Sequence, residues 1–166
     1  MQCEKPFSQA CENNKRAILG VLERTFANCK QVLEIGSGTG QHAVFFAEHL
    51  SHLIWHTSDQ PQYHAGVQAW LAEASLDNIS APVAFTVGRD DFPHIDVDGV
   101  FTANTAHIMQ KEEAKLLMEL IASNLPQNGV FCQYGPFTHR GKFTSQSNQA
   151  FHLSLIERGY GGYRDI

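Results

Sequence analysis

Three glycines alternate with single residues in Glu34-Ile35-Gly36-Ser37-Gly38-Thr39-Gly40, and an acid, Asp59, follows 19 residues after the last of them. Glycine in such a turn tolerates positive φ and lets a ligand approach the backbone closely. A helix that starts there presents free N–H groups and the positive end of its dipole. A carboxylate at the end of the next strand can accept hydrogen bonds from both hydroxyls of a ribose. Gly-rich turns are common, and Asp59 alone could cap the helix after Pro61. The pairing of turn and acid favours a cofactor that carries an adenosine.

Two cofactors fit that description. Read from Gly38 to Ala43, the turn gives G-x-G-x-x-A, a form of the dinucleotide fingerprint. Read from Glu34, it gives E-x-G-x-G-x-G. A dinucleotide needs a third glycine for helix–strand packing and a pyrophosphate seated on the helix N-terminus. S-adenosylmethionine (SAM) has no phosphate; it carries an ammonium and a sulfonium, which suit an acid such as Glu34 beside the turn. The pattern favours SAM.

The elements that must position these residues follow from hydrophobic spacing. Helices are predicted over Glu12–Phe26, Gln41–Leu50, Tyr63–Ala74, Lys111–Ser123 and Gln146–Glu157. Strands are predicted over Gln31–Ile35, Leu53–Thr57, Pro82–Val87, Gly99–Ala103 and Gly129–Tyr134. Strands alternating with helices of this length indicate right-handed βαβ units, hence an α/β fold with a mostly parallel sheet and helices on both faces. Ligands of such sheets bind outside the carboxyl ends of the strands. The loops to watch are therefore Gly36–Gly40, Ser58–Gln60, Gly88–Asp91, Asn104–His107 and Gly135–Phe137.

At 166 residues and 43% hydrophobic, the chain suits a single domain over 1–166 with a sizeable core. Its net charge is −5 with no Lys/Arg cluster, which argues against nucleic acid or an anionic membrane as partner. No apolar run reaches the length of a signal peptide core or a membrane span. Cys3, Cys11, Cys29 and Cys132 are scattered without C-x-x-C spacing, so reduced thiols and a cytoplasmic location are expected. His52 and His56 flank a predicted strand, where positions four apart lie about 13 Å from one another, too far to share an ion. No metal site is expected.

Several segments resemble the domain-of-unknown-function 938 family of class I SAM-dependent methyltransferase-like proteins, whose relatives include methyltransferase-like protein 26. They are FSQACENNKRAIL, VLEIGSGTGQHAVFFA, VFTANTAHIM, FCQYGPF, FTSQSNQAFHLSL and the terminal GYRDI, in the family's order and over nearly the whole chain. The resemblance implies a Rossmann-like sandwich and SAM contacts at Glu34, Gly36, Ser37, Gly38, Gly40 and Asp59. It also draws attention to Asn104 and His107. Two departures stand out. Phe85-Thr86-Val87 replaces the expected aspartate of the third strand, leaving Asp90 or Asp91 as a substitute for the adenine contact. The chain also ends without the last two strands of the class, which suggests a truncated C-terminus and an exposed apolar sheet edge that favours self-association.

Methyl transfer from SAM is an in-line displacement that needs alignment and, for some acceptors, a base. His107 titrates near neutrality and is a candidate base, or else a loop cap. Tyr134 is a candidate wall of the acceptor pocket. Asn104 reads as a loop-fixing amide or a SAM contact, and Ser145-Gln146-Ser147-Asn148 as a helix N-cap. In a methyltransferase the first helix can fold over the cofactor, bringing Asn14 or Lys15 to the SAM carboxylate. The expectation is a SAM-dependent methyltransferase acting on a small molecule or a side chain. The alternatives are a catalytically silent SAM-binding or partner-binding module and, on G-x-G-x-x-A alone, an NAD-dependent oxidoreductase.

Overall fold

Five short strands of this chain have helices or loops long enough to cross back over the sheet between them, so each strand joins its neighbours in parallel. In the computed structural model, which describes residues 4–166, they form one sheet in the order β3-β2-β1-β4-β5. The strands are β1 (Gln31–Ile35), β2 (Ile54–Asp59), β3 (Ile79–Ala84), β4 (Gly99–Ala103) and β5 (Val130–Tyr134). The helices are α1 (Gln9–Thr25), α2 (Gln41–His49), α3 (His64–Ala74), α4 (Lys111–Asn124) and α5 (Gln146–Glu157). Two short strands, β6 (Phe137–Thr138) and β7 (Arg164–Asp165), pair in parallel as a separate ribbon. Cys3 lies outside the described residues.

Side-chain alternation sorts the sheet into two cores. Val32 of β1, Trp55 of β2 and Phe101 of β4 pack with Leu22 of α1, with Phe26 at its end and with Phe46 of α2. Leu33, Ile35 and Val100 face the other way, onto Leu117 and Ile121 of α4 and onto Phe85 and Phe92. Helices therefore cover both faces. The switch in strand order lies between β1 and β4, so the carboxyl ends of β1, β2 and β4 converge where this class of sheet binds its ligands.

Two predicted boundaries are corrected. Helix α1 begins at Gln9, not Glu12, because Ser8 caps it by accepting from the Cys11 amide at 3.4 Å. The first turn carries no apolar stripe, so hydrophobic spacing starts too late. The third strand is Ile79–Ala84 rather than Pro82–Val87. Its register is set by Ile79 opposite Trp55, with an irregularity between His56 and Ser58. Phe85-Thr86-Val87 consequently lies in the loop beyond the strand, and the missing aspartate is not a strand position at all.

Candidate functional site

The turn after β1 is built from left-handed glycines: φ is +76° at Gly36, +58° at Gly38 and +94° at Gly40. Their surroundings differ. A Cβ on Gly36 would come within 2.7 Å of Thr105 Cγ2, and one on Gly40 within 3.1 Å of Val67 Cα. Gly36 thus admits the β4 loop and Gly40 admits α3. A Cβ on Gly38 would meet nothing within 4 Å among the described residues. Gly38 faces open space, as the ligand side of such a turn must.

Ser37 and Ser58 lock this turn to β2. The Gly36 and Ser37 amides donate to the Ser58 carbonyl at 3.0 and 2.9 Å, and the Ser58 amide donates to Ser37 Oγ at 3.1 Å. Ser58 Oγ in turn donates to the Glu34 carbonyl at 2.6 Å. Asp59 then closes the rim. Its Oδ2 accepts from the Gly38 amide and its Oδ1 from the Gln60 amide, both at 2.7 Å. The carboxylate is spent across the turn rather than on the helix after Pro61, whose first turn has no side-chain cap. Burial raises the Asp59 pKa, and the two amide bonds pull it back.

Beneath the turn, Glu34 is 2% exposed and faces the α1–α2 core. Burial pushes its carboxyl up to about 7, offset in part by Ser37 and the Trp55 indole. Among the described residues, neither Glu34 Oε1 nor Trp55 Nε1 closes a hydrogen bond of standard geometry. A buried carboxyl oxygen without a donor is a costly arrangement for an apolar core and a ready one for a cationic ligand group.

Sequence reasoning missed Gln41, which joins α1 to the turn. Gln41 Oε1 accepts from the Ser8 amide at 2.6 Å and from Thr39 Oγ1 at 3.1 Å. Its Nε2 donates to Glu12 Oε1 at 2.9 Å and to the Ser8 carbonyl at 3.3 Å. His42 pairs through Nε2 with Asn14 Oδ1 at 2.7 Å, and burial depresses its pKa to about 4. Asn14 is therefore engaged inside the α1–α2 contact, and Lys15 is paired with Glu12. The sequence signal was the presence of both FSQA and GQHA among the family segments; which residue of one meets which of the other has no local signature.

The N-terminal strap completes this side. Trp70 Nε1 donates to the Pro6 carbonyl at 2.7 Å, Lys5 sits 3.9 Å over the Trp70 ring, and Pro6 packs into the space that a side chain at Gly66 would fill. Between strap and turn a cavity of about 390 Å³ opens beside Gly38, Thr39, Pro6 and Tyr63. A larger hollow of about 610 Å³, lined by Lys30, His94, Asp98 and Asn124 among others, lies at the amino ends of the strands, away from the turn.

The remaining predicted residues divide. Asn104 has a left-handed φ of +57° and donates its amide to the Tyr134 carbonyl at 2.8 Å, placing the β4 loop and the end of β5 side by side. The neighbouring Thr105 touches the turn at Gly36. Tyr134 is 39% exposed. Asp90 Oδ2 accepts from the Thr86 amide at 2.7 Å and ties its own loop. His107 is buried, with Phe151 and Tyr163 edge-on at centroid distances of 5.7 and 6.3 Å, and its Nδ1 has no partner among the described residues. Burial lowers its pKa, so it stays neutral. Ser145 caps α5 as expected, accepting from the Asn148 amide at 3.1 Å.

Solved structures share this fold. The chain is similar to an O-methyltransferase family protein from Burkholderia thailandensis (TM-score 0.78, 14% identity, 93% of this chain and 48% of that one). It is similar to human N-acetylserotonin methyltransferase, solved with SAM (TM-score 0.78, 16% identity, 95% and 44%). It also matches PigF, solved with S-adenosylhomocysteine (TM-score 0.76, 19% identity, 95% and 53%). The chain spans about half the length of these proteins. Its fold is the Rossmann-like fold of class I SAM-dependent methyltransferases. Residues 5–166 match the family model described as protein of unknown function (DUF938), and the chain belongs to that family.

Proposed function

We propose that residues 5–166 are a single SAM-binding domain that transfers the cofactor's methyl group to a small-molecule or side-chain acceptor. The observation that carries this reading is the Gly38–Asp59 bond at the mouth of the turn, set above the unpartnered Oε1 of Glu34. Asp59 keeps lone pairs free for ribose hydroxyls after accepting its two amides. Gly36 and Gly40 let the turn close against Thr105 and α3, Ser37 locks it to β2, and Gly38 leaves the backbone open where the methionine portion would pass. Glu34 offers a desolvated acid to the ammonium, and Asn104 borders the same space. These groups fit the cofactor's charges, and SAM, when bound, supplies a methyl carbon already activated by positive sulfur.

The chain's own contribution is binding and alignment. His107, neutral in its buried setting, is the candidate to take a proton from an acceptor hydroxyl or amine, with Tyr134 near the acceptor. That the O-methyltransferase neighbours share this fold supports a small-molecule acceptor; the scattered thiols support a cytoplasmic location. No helix among the described residues is long and apolar enough to cross a membrane.

One observation favours a second reading. The enclosure of His107 beneath Phe151 and Tyr163 suits a catalytically silent SAM-binding module as well as an enzyme with a closed acceptor side. Calorimetry with S-adenosylhomocysteine tests the cofactor, and absence of binding by folded protein at millimolar ligand rejects both readings. Turnover of SAM in an acceptor screen, lost in His107→Ala with cofactor affinity retained, separates enzyme from silent module.

A further inference from the structure

The Asp59 carboxylate is bonded to the Gly38 amide, and Gly38 lines the cavity of about 390 Å³ between strap and turn. A group attached to a ribose on Asp59 therefore has this cavity within reach. The volume lies near the lower end for ligand pockets, about 300–1,000 Å³, which suits one ring system and not a whole dinucleotide. Among the described residues no Lys or Arg lines it, so it offers no cation to a phosphate. Pro6, Tyr63 and Ala65 give it apolar walls instead.

Those walls are fixed in place. Tyr63 ends the short 3₁₀ turn Pro61–Tyr63, and its amide donates to the Gln60 carbonyl at 3.0 Å. An aromatic ring that is 48% exposed thus stands on the turn that directly follows the ribose anchor. Pro6 is fastened from several directions. Trp70 Nε1 donates to its carbonyl at 2.7 Å, Lys5 lies over the Trp70 ring and pairs with Glu73 at 2.7 Å, and the Ser8 amide donates to Gln41 at 2.6 Å. Glycine weakens a helix interior, and in α3 Gly66 makes room for the strap, because a Cβ there would lie 2.7 Å from Pro6 Cγ. Gly40 ties α3 to the turn in the same manner, with Val67 Cα 3.1 Å and Trp70 Cβ 3.2 Å from where its Cβ would be. Turn, α3 and strap therefore hold one geometry around the cavity before any ligand enters.

We propose that this cavity is the base subsite of the cofactor, with Tyr63 as the ring on which adenine stacks and Pro6 of the N-terminal strap as its second apolar contact. The inference rests on the SAM-binding reading of the domain and makes the strap part of the cofactor site. A flat, neutral heterocycle suits apolar walls without cations, and an aromatic side chain is a natural partner for its π-face. Trp70 is then a positioning residue, which acts by holding Pro6 in place.

The test compares S-adenosylhomocysteine with 5′-methylthioadenosine, which share the adenosine but not the amino-acid end. Calorimetry is expected to show Tyr63→Ala weakening both by the same factor, about tenfold for the loss of one base–aromatic stack. Trp70→Phe keeps an aromatic body beneath Lys5 but has no N–H for the Pro6 carbonyl, and is expected to weaken both by a smaller common factor. In the wild-type protein, nuclear Overhauser contacts are expected from the adenine ring protons to the rings of Tyr63 and Pro6, a measurement that needs no variant to fold. Unchanged affinity in a folded Tyr63→Ala overturns the assignment while the cofactor reading stands. So does a loss confined to S-adenosylhomocysteine, or a base that contacts only other residues. A wild-type protein that binds neither probe overturns both.

Discussion

The Gly38 amide donates to Asp59 Oδ2 at 2.7 Å, joining the tip of the glycine turn to the end of β2. With the Gln60 amide on Oδ1, the bond fixes the carboxylate's rotation before any ligand arrives. Binding energy is then not consumed in ordering it, which is the advantage of a preorganised site.

Asp59→Asn retains one oxygen but sets an NH2 donor against the Gly38 or the Gln60 amide, and it removes the charge that strengthens the bonds to the ribose hydroxyls. Hydrogen bonds to charged groups contribute about 1.5–3 kcal/mol, so affinity for S-adenosylhomocysteine is expected to fall roughly 10–100-fold. Calorimetry reads the change directly. Unaltered affinity in a folded variant would remove Asp59 from the cofactor site.

The two neighbouring glycines are expected to fail in different ways. Gly36→Ala combines a left-handed φ with a Cβ 2.7 Å from Thr105 Cγ2, so it destabilises the fold. Strain of this kind costs about 1–3 kcal/mol, and Thr105→Ser, which deletes the clashing methyl, should restore only the steric part. Gly38→Ala meets no neighbour within 4 Å. It should cost no more than the left-handed conformation itself, about 1–2 kcal/mol, yet weaken cofactor binding because its methyl projects into the ligand's space. Urea denaturation and calorimetry on both variants separate the effects. Wild-type binding by Gly38→Ala would place the cofactor elsewhere.

What could be read from sequence was what the chain encodes locally. Strand β1, the glycine turn and Asp59 depend on residue type and short spacing, and the observed bounds of β1, β4 and α5 match those predicted. β3 does not, because Ile79-Ser80-Ala81-Pro82 lacks alternation while Phe85-Thr86-Val87 has higher strand propensity. Pairing with β2 overrides that preference. The Gln41–Ser8 contact spans 33 residues and His107 meets Tyr163 across 56, so neither leaves a local pattern. Glu34 was legible as an acid near the turn, but its burial against Trp55 needed the sheet register.

Glu34 makes the stability of the ligand-free protein depend on pH. Its carboxyl titrates at about 7 in the fold, against 4.5 as its ordinary value. Because the folded value is the higher one, the stabilisation from the protonated form is fully present below about pH 4.5 and is lost as pH rises through about 7. The whole effect is of order 3 kcal/mol. Glu34→Gln should flatten this decline and raise the melting temperature at pH 8. The same change should weaken S-adenosylhomocysteine, whose ammonium favours the ionised acid, so wild-type affinity should grow from pH 6 to pH 8 and the variant's should not. A variant melting below wild type at pH 8 would contradict the unpaired buried carboxylate.

Gln41→Ala is expected to loosen the N-terminal strap without unfolding the sheet. Gln41 supplies an acceptor to the Ser8 amide and a donor to Glu12, and its removal strands groups that cost about 1–3 kcal/mol each if they stay buried. Ser8 and Glu12 are only partly buried, so water can replace part of what is lost and the global cost should sit at the lower end. The local consequence is larger, because the strap is then held by the Trp70–Pro6 bond, the packing of Pro6 at Gly66 and the contacts of Lys5 with Trp70 and Glu73. Hydrogen exchange should quicken over residues 8–15 while β1 and β4 stay protected, and Trp70 fluorescence should shift as the Pro6 contact opens. If α1 helps to cover the cofactor, the variant should release S-adenosylhomocysteine faster at nearly unchanged thermal stability. Uniform acceleration of exchange across the sheet would instead make Gln41 a core residue with no special tie to the turn.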